Sequence, residues 1–306
     1  MPAPVPPGHT RGAIVVIGPN STSIAETTNG LSQQRGQQQL WQRFWSEAGG
    51  YGARIVICGT PGTEAESSAY HTLLMTMEAA SVQQIQLATR GAALEADHSR
   101  AIEGATGILL LAPTPFHLAA LLGGTPLATT IRRANARGKT VAGAGDSAAF
   151  LCQHMITANH TDERPKPRLL RDLIHFAPGL GLVNRLLFTV ASAAKPTTQH
   201  HLVALLTAVA HNPFLIGVAI EANTGIVIYP DTTVEVFGAN NVLLVDGHLI
   251  SYTDIHEAKR DQLLSVHGVQ LHLLKQGQTY NFDTHTVHPQ SDTDIPVEGA
   301  PEHVTF

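Results

Sequence analysis

The chain has 306 residues, of which 43% are hydrophobic and 14% charged, with a formal net charge of -5. That length and apolar content suffice for a packed core, in one large domain or two smaller ones, and exclude a mainly disordered chain. An acidic body without a basic patch argues against nucleic acid or an anionic membrane as partner, because the basic run Arg164, Lys166, Arg168 and Arg171 is offset by Asp162, Glu163 and Asp172.

Residues 1–11 form a Pro-rich tail that cannot pack as helix or central strand, and disorder is expected there. Ala13 to Ile17 is an all-apolar run closed by Gly18-Pro19, as in a strand covered on both faces. A helix follows over Gln38 to Ala48, then a strand at Arg54 to Cys58 and a helix at Ala69 to Ala80. Further strands are read at Ser81 to Leu87, Gly107 to Leu111 and Thr140 to Ala142, with helices over Asp97 to Ile102 and Thr125 to Arg137 between them. This alternation predicts right-handed βαβ crossovers: an α/β fold with a doubly wound, mostly parallel sheet flanked by helices. Such sheets bind ligands beyond the carboxyl ends of their strands, here the loops Gly18–Ser23, Gly59–Thr63, Ala112–His117 and Gly143–Ser147. Beyond Pro213 the runs Ile216–Ile220, Thr224–Tyr229, Val234–Phe237, Val242–His248 and Val269–Leu274 read as a small antiparallel meander extending the main sheet. One domain over 12–282 and a polar C-terminal tail over 283–306 are expected.

The segment Lys139 to Phe150 reads as a buried strand turning sharply into a helix over Ser147 to Thr157, the setting in which α/β serine hydrolases place a nucleophile. The tip of that turn is Gly145, which carries no side-chain oxygen. The two cysteines, Cys58 and Cys152, sit in apolar segments and offer no disulfide framework, which suits a reducing, cytoplasmic compartment. No secretory signal is visible, and no apolar run reaches the roughly 18 residues of a membrane-spanning helix. The 17 histidines invite a metal reading, but the closest approaches, His200-His201 and His285-Thr-Val-His288, lack the spacing that puts two imidazoles on one helix face. No metal and no cofactor is expected.

Several motifs in order carry a family resemblance. They are Val15-Val-Ile-Gly18, Leu121-Leu-Gly-Gly-Thr-Pro126, Gly138-x-x-Val-Ala-Gly143, Phe176-Ala-Pro-Gly-Leu-Gly-Leu182, Leu205-Leu-Thr-Ala-Val-Ala210, Ile220-x-x-Asn-Thr224 and Val245-Asp-Gly247. Over residues 12–282 the chain resembles the cyanophycinases, dimeric serine-type exopeptidases of α/β fold that release β-aspartyl-arginine from cyanophycin. The resemblance places the family's serine, from Gly-Thr-Ser-Ala-Gly, on Gly145, and the glutamine of its Gly-Gly-Asp-Gln loop on Pro115. It places the family's histidine, from Asp-Gln-His-Phe, on Ala191. This chain is longer just beyond, so a shifted register would bring Ser192 or Lys195 there, with His200 and His201 in the following helix. An acidic residue of the fourth signature falls on Ala222.

Acyl transfer needs a nucleophile, a base within hydrogen-bond reach and an orienting group, so loss of all these predicts an inactive subunit. The expected role is assembly with an active paralogue, as homo- or heterodimer, or binding of a cyanophycin-type ligand through Asp146, Glu221 or Glu64. The alternative is a hydrolase with a relocated nucleophile at Ser147, served by Asp146 and a histidine such as His117 or His154. Capping of the following helix is the plainer use for Asp146 and Ser147.

Overall fold

A computed structural model describes residues 2–19, 30–158, 168–190, 198–259 and 262–289. Five strands, β1 (Ile14–Ile17), β2 (Arg54–Gly59), β3 (Ser81–Gln86), β4 (Gly107–Leu111) and β5 (Thr140–Ala144), lie side by side in the order β3-β2-β4-β5-β1, all parallel. Their apolar runs are continuous because both faces are covered. The pleat sends Val15, Ile17, Ile55, Ile57, Leu109 and Leu111 to one face, against Leu40, Trp41 and Phe44 of α1 (Gly30–Glu47) and Leu74 of α2 (Glu64–Thr76). Ile14, Val16, Val56, Cys58, Ile108 and Leu110 face the other way, against Ile102 of α3 (Ala96–Gly104), Leu118 of α4 (Pro115–Leu122) and Leu127 and Ile131 of α5 (Pro126–Ala136).

The helix expected after the elbow is absent. Gly145–Leu151 is a 3₁₀ segment, and His154–Ala158 is a strand, β6, paired antiparallel with β7 (Ile174–Pro178). The Ala-Pro-Gly-Leu-Gly turn accounts for this. Gly179, Leu180, Gly181 and Leu182 donate their N–H groups to the carbonyls of Gln153, Phe150, Cys152 and Leu151, acceptors that a continuing α-helix would need for itself.

The C-terminal strands do not form one meander. After β8 (Leu186–Val190) and α6 (Thr198–His211), β9 (Ile216–Ile220), β12 (Val242–Asp246) and β15 (Gln270–Leu274) join β8 in a separate four-stranded sheet of order β15-β12-β9-β8. The strands β10 (Thr224–Ile228) and β11 (Thr233–Gly238) continue the main sheet beyond β1, antiparallel, and are followed by β16 (Thr279–Asn281) and β17 (Thr286–His288) to make nine strands. A minor hairpin, β13 (Tyr252–Thr253) with β14 (Val266–His267), lies between β12 and β15 in the chain. The second sheet exists because its strands have two apolar faces. Ile216, Val218 and Leu244 join the core of the main sheet, while Ala219 and Val245 pack against Leu205 and Val209 of α6. Strand β17 carries ordered structure past residue 282, where a tail was expected to start.

At the other end, residues 2–11 double back through a turn at Pro7-Gly8, closed by the His9 N–H on the Pro6 carbonyl (3.1 Å). Arg11 donates to the Ala3 carbonyl (2.6 Å) and to Asn135 (3.2 Å), and the Asn135 amide holds the carbonyls of Gly12 (2.9 Å) and Lys139 (3.1 Å). Among the described residues no helix is long and apolar enough to cross a membrane.

Strand β1 joins the two halves of the main sheet, and its exit is tight. A Cβ on Gly18 would stand 2.4 Å from the Glu221 carbonyl oxygen and 2.7 Å from that of Thr224. Gly18→Ala is expected to lower stability by about 1–3 kcal/mol, an overpacking cost that thermal or urea unfolding would read.

Candidate functional site

The carboxyl ends of the parallel strands converge on the turn after β5. Ile17 of β1 is opposite Ala144 on one side and Gly225 of β10 on the other, so the loops leaving β1 and β5 and the turn entering β10 share one edge of the sheet. The turn itself requires glycines. A Cβ on Gly143 would lie 2.8 Å from the Ala148 Cα, and Gly145 has φ +58°, the left-handed region that a Cβ disfavours. Around Gly145 a Cβ would meet nothing within 4 Å. The apex thus has open space where a Cβ would stand and no side chain to occupy it.

Two residues on, Ser147 points the other way. Its side chain is fully buried and its one hydroxyl proton is shared between the carbonyls of Ala144 (2.6 Å) and Leu110 (3.0 Å), bracing the ends of β5 and β4. The relocated-nucleophile reading is therefore not carried by this geometry: an attacking oxygen must reach solvent or substrate, and this one is committed inside the turn. Helix capping is also not its role, because no α-helix follows. Asp146, between them, is exposed.

Pro115 opens α4, where its missing N–H goes unused, and Thr114 before it is extended. The loop leans on its neighbour: a Cβ on Gly62 would stand 3.1 Å from Pro113. Glu64, at the first position of α2, accepts from the Gly62 N–H (3.0 Å) and from the Gln86 amide (3.2 Å). Glu221 accepts from the Asn241 N–H (3.2 Å), and the Ala222 carbonyl takes the Asn240 amide (2.7 Å). Asn223, with φ +55°, donates its N–H to Pro19 (3.0 Å), which closes the β9–β10 turn against the exit of β1. Gly145 at the turn after β5, Pro115 at the start of α4 and Ala222 in the β9–β10 turn all lie at this end of the main sheet, whereas Ala191, Ser192 and Lys195 lie outside the described residues. Glu64 and Glu221, both expected to receive a ligand, are engaged in holding their own loops.

The other nucleophile type is silenced by burial. Both cysteines are fully buried, which pushes the Cys58 thiol up to about 12 and raises Cys152 well above the usual thiol range, so neither offers a thiolate. His117 is exposed on α4, with Thr114 Oγ1 3.4 Å from its Nδ1, and His154 lies on β6 with its ring edge-on to Phe176 at 6.3 Å. Among the described residues one group of possible metal ligands stands together, Asp246, His248 and His285. The spacing test applied to His200, His201, His285 and His288 passed over it, because two of its members share a turn and the third arrives from a distant hairpin. The only local signal was Asp-Gly-His at 246–248.

No protein-family model matches the chain. Its sequence is 28% identical over 280 residues to the cyanophycinase of Geminocystis herdmanii, covering 90% of this chain and 96% of that one. It is 28% identical over 283 residues to the cyanophycinase of Synechococcus elongatus, covering 92% and 82%. The chain is a homologue of the cyanophycinases. The crystal structure of a peptidase from an acI-B1 Actinobacterium superposes with a TM-score of 0.59 at 15% identity, over 90% of this chain and 98% of that one, and shares the fold. In a cyanophycinase homologue the occupant of the elbow is the first question, and here it is a glycine in open space followed by an inward serine.

Because Ser147 links two strand ends, Ser147→Ala is expected to cost about 1–2 kcal/mol of stability. The same variant should leave labelling by a serine-directed fluorophosphonate unchanged from the wild-type background, measured by gel fluorescence on folded protein.

Proposed function

We infer that the chain is a catalytically inactive cyanophycinase-like subunit that acts through assembly with an active cyanophycinase. The observation that carries this reading is the elbow. Its apex is Gly145, and the nearest hydroxyl, Ser147, is buried and hydrogen-bonded to backbone carbonyls. Pro115 and Ala222, at two further positions where the family resemblance expects chemistry, carry no group able to donate, accept or attack through a side chain. Removal of a nucleophile alone lowers such reactions by several powers of ten.

Binding of a cyanophycin-type ligand is the weaker limb of the reading, since Glu64 and Glu221 already hold the Gly62 and Asn241 amides. What favours assembly is the contrast between a sheet whose tight glycine contacts are kept and an edge whose reactive groups are gone. A surface kept for packing needs the former without the latter.

Purified chain is expected to release no β-aspartyl-arginine from cyanophycin. When co-expressed with an active cyanophycinase it should co-elute from size-exclusion chromatography as a mixed oligomer. Separate elution of two homo-oligomers would sink the assembly reading, and turnover by the purified chain would sink the inactive one.

Restoring the oxygen is a sharper test of the elbow. Gly145→Ser is expected to fold, because its Cβ meets nothing, with a loss of about 1–2 kcal/mol for the left-handed backbone. It should remain inactive on cyanophycin, since a nucleophile without a positioned base is not activated.

A further inference from the structure

On the side of the small sheet away from the elbow stands a second polar constellation. In the β9–β12 ladder Val242 is opposite Ile220, which leads into the turn near the elbow, and Asp246 is opposite Ile216. Four residue steps separate the two ends, roughly 13 Å. Asp246 is fully buried there, and its carboxylate is the focus of three side chains. His285 Nδ1 lies 2.6 Å from Oδ2, His248 Nδ1 lies 3.0 Å from the same oxygen, and the Tyr280 hydroxyl donates to it as well. The other oxygen, Oδ1, accepts the His248 backbone N–H at 2.9 Å. The two imidazoles are stacked with centroids 3.8 Å apart, and their side chains keep 27% and 19% of their surface open to solvent.

We propose that Asp246, His248 and His285 form a binding site for a divalent transition metal of the zinc class, which ties the small sheet to the outer hairpin of the main sheet. Three donors crowd one oxygen that has two lone pairs, an arrangement that a single cation among the ligands would relieve. The donor set also suits the ion: two imidazole nitrogens and a carboxylate, with an open side for water as fourth ligand. In a zinc tetrahedron with bonds of about 2.0–2.2 Å, donor atoms stand roughly 3.3 Å apart. The present separations of 2.6 and 3.0 Å therefore need to open by about 0.7 and 0.3 Å.

The ligands come from different sheets. Asp246 and His248 lie at the end of β12 and just beyond it, while His285 sits in the β16–β17 turn with φ +55° and its ring against Asp246. Nearby, on β15, His272 packs its ring 5.3 Å from that of Tyr280 and has a buried Nε2 with no hydrogen-bond partner.

One contact must yield. Arg185 can only donate, so at 3.3 Å it makes His285 Nε2 an acceptor and leaves the ring proton on Nδ1, facing Asp246. A metal on Nδ1 moves that proton to Nε2, and Arg185 then has to withdraw. It has a place to stay, paired with Asp283 and lying 5.0 Å over the Phe214 ring and 5.7 Å over that of Phe282.

The test is calorimetric titration of Zn2+ into the full chain after treatment with a chelator, with thermal melting in parallel. One ion per chain is expected, with a melting temperature that rises on adding Zn2+. His248→Ala and His285→Asn should each weaken binding at least about tenfold and abolish the melting shift, while His175→Ala, an exposed histidine on β7, should bind as wild type. Asparagine is chosen at 285 because it tolerates the left-handed backbone. If His285→Asn does not fold, His248→Ala decides alone, since that ring is partly exposed and its loss leaves the backbone turn intact. Wild-type protein that takes up no stoichiometric zinc, or a His248→Ala variant that binds it as tightly as wild type, overturns the proposal.

Discussion

The ladder around β1 is the constraint on which the rest of the molecule depends. This four-residue strand is hydrogen-bonded in parallel to β5 and antiparallel to β10, and it is where the doubly wound half meets the antiparallel half. Its pleat divides the core in two: Val15 and Ile17 belong to the layer under α1 and α2, Ile14 and Val16 to the layer shared with α5 and the second sheet. Because Ile17 is opposite both Ala144 and Gly225, the elbow, the β1 exit and the β9–β10 turn end at one level. A register slip of one residue would turn every one of these side chains to the wrong layer.

That edge is built for close approach. Gly18 leaves room for two carbonyls, Gly143 for Ala148 and Gly145 for a left-handed turn. Hydrogen bonds that a catalytic edge would hold ready for substrate are spent within it: Ser147 on the strand ends, Glu64 on Gly62, Asn240 on Ala222. Among the described residues, Ser147, Glu64 and Asn240 thus hold the backbone of the turns at this rim.

Much of this was legible in order along the chain. The five parallel strands announce themselves as unbroken apolar runs, because a strand buried on both faces cannot alternate. The position of Gly145 at the tip of the turn follows from the same reading, since strand end and turn are local. The 147–157 helix failed for a nonlocal reason: the carbonyls of Phe150 to Gln153 are claimed by residues 179–182, which nothing in their own neighbourhood reveals. The C-terminal strands were legible as strands and illegible as sheets. Burial of both faces in Ile216–Ile220 and in Thr224–Ile228 is the same signal, yet one strand pairs with β12 and the other with β1.

The site divides along the same line. Sequence by itself determined that the tip of the turn after β5 carries no side chain, because residue identity is all that question needs, and its motifs pointed to the cyanophycinases, to one of which the chain is 28% identical over 280 residues. Only the tertiary structure decided where the remaining groups point. Ser147 turns inward because the Leu110 carbonyl, 37 residues away along the chain, waits 3.0 Å from its oxygen. Asp246 meets His285, 39 residues on, because a hairpin of one sheet folds over the end of another. A side chain's partners are set by distances in space, and spacing along a chain reports those only within a single helix, strand or turn.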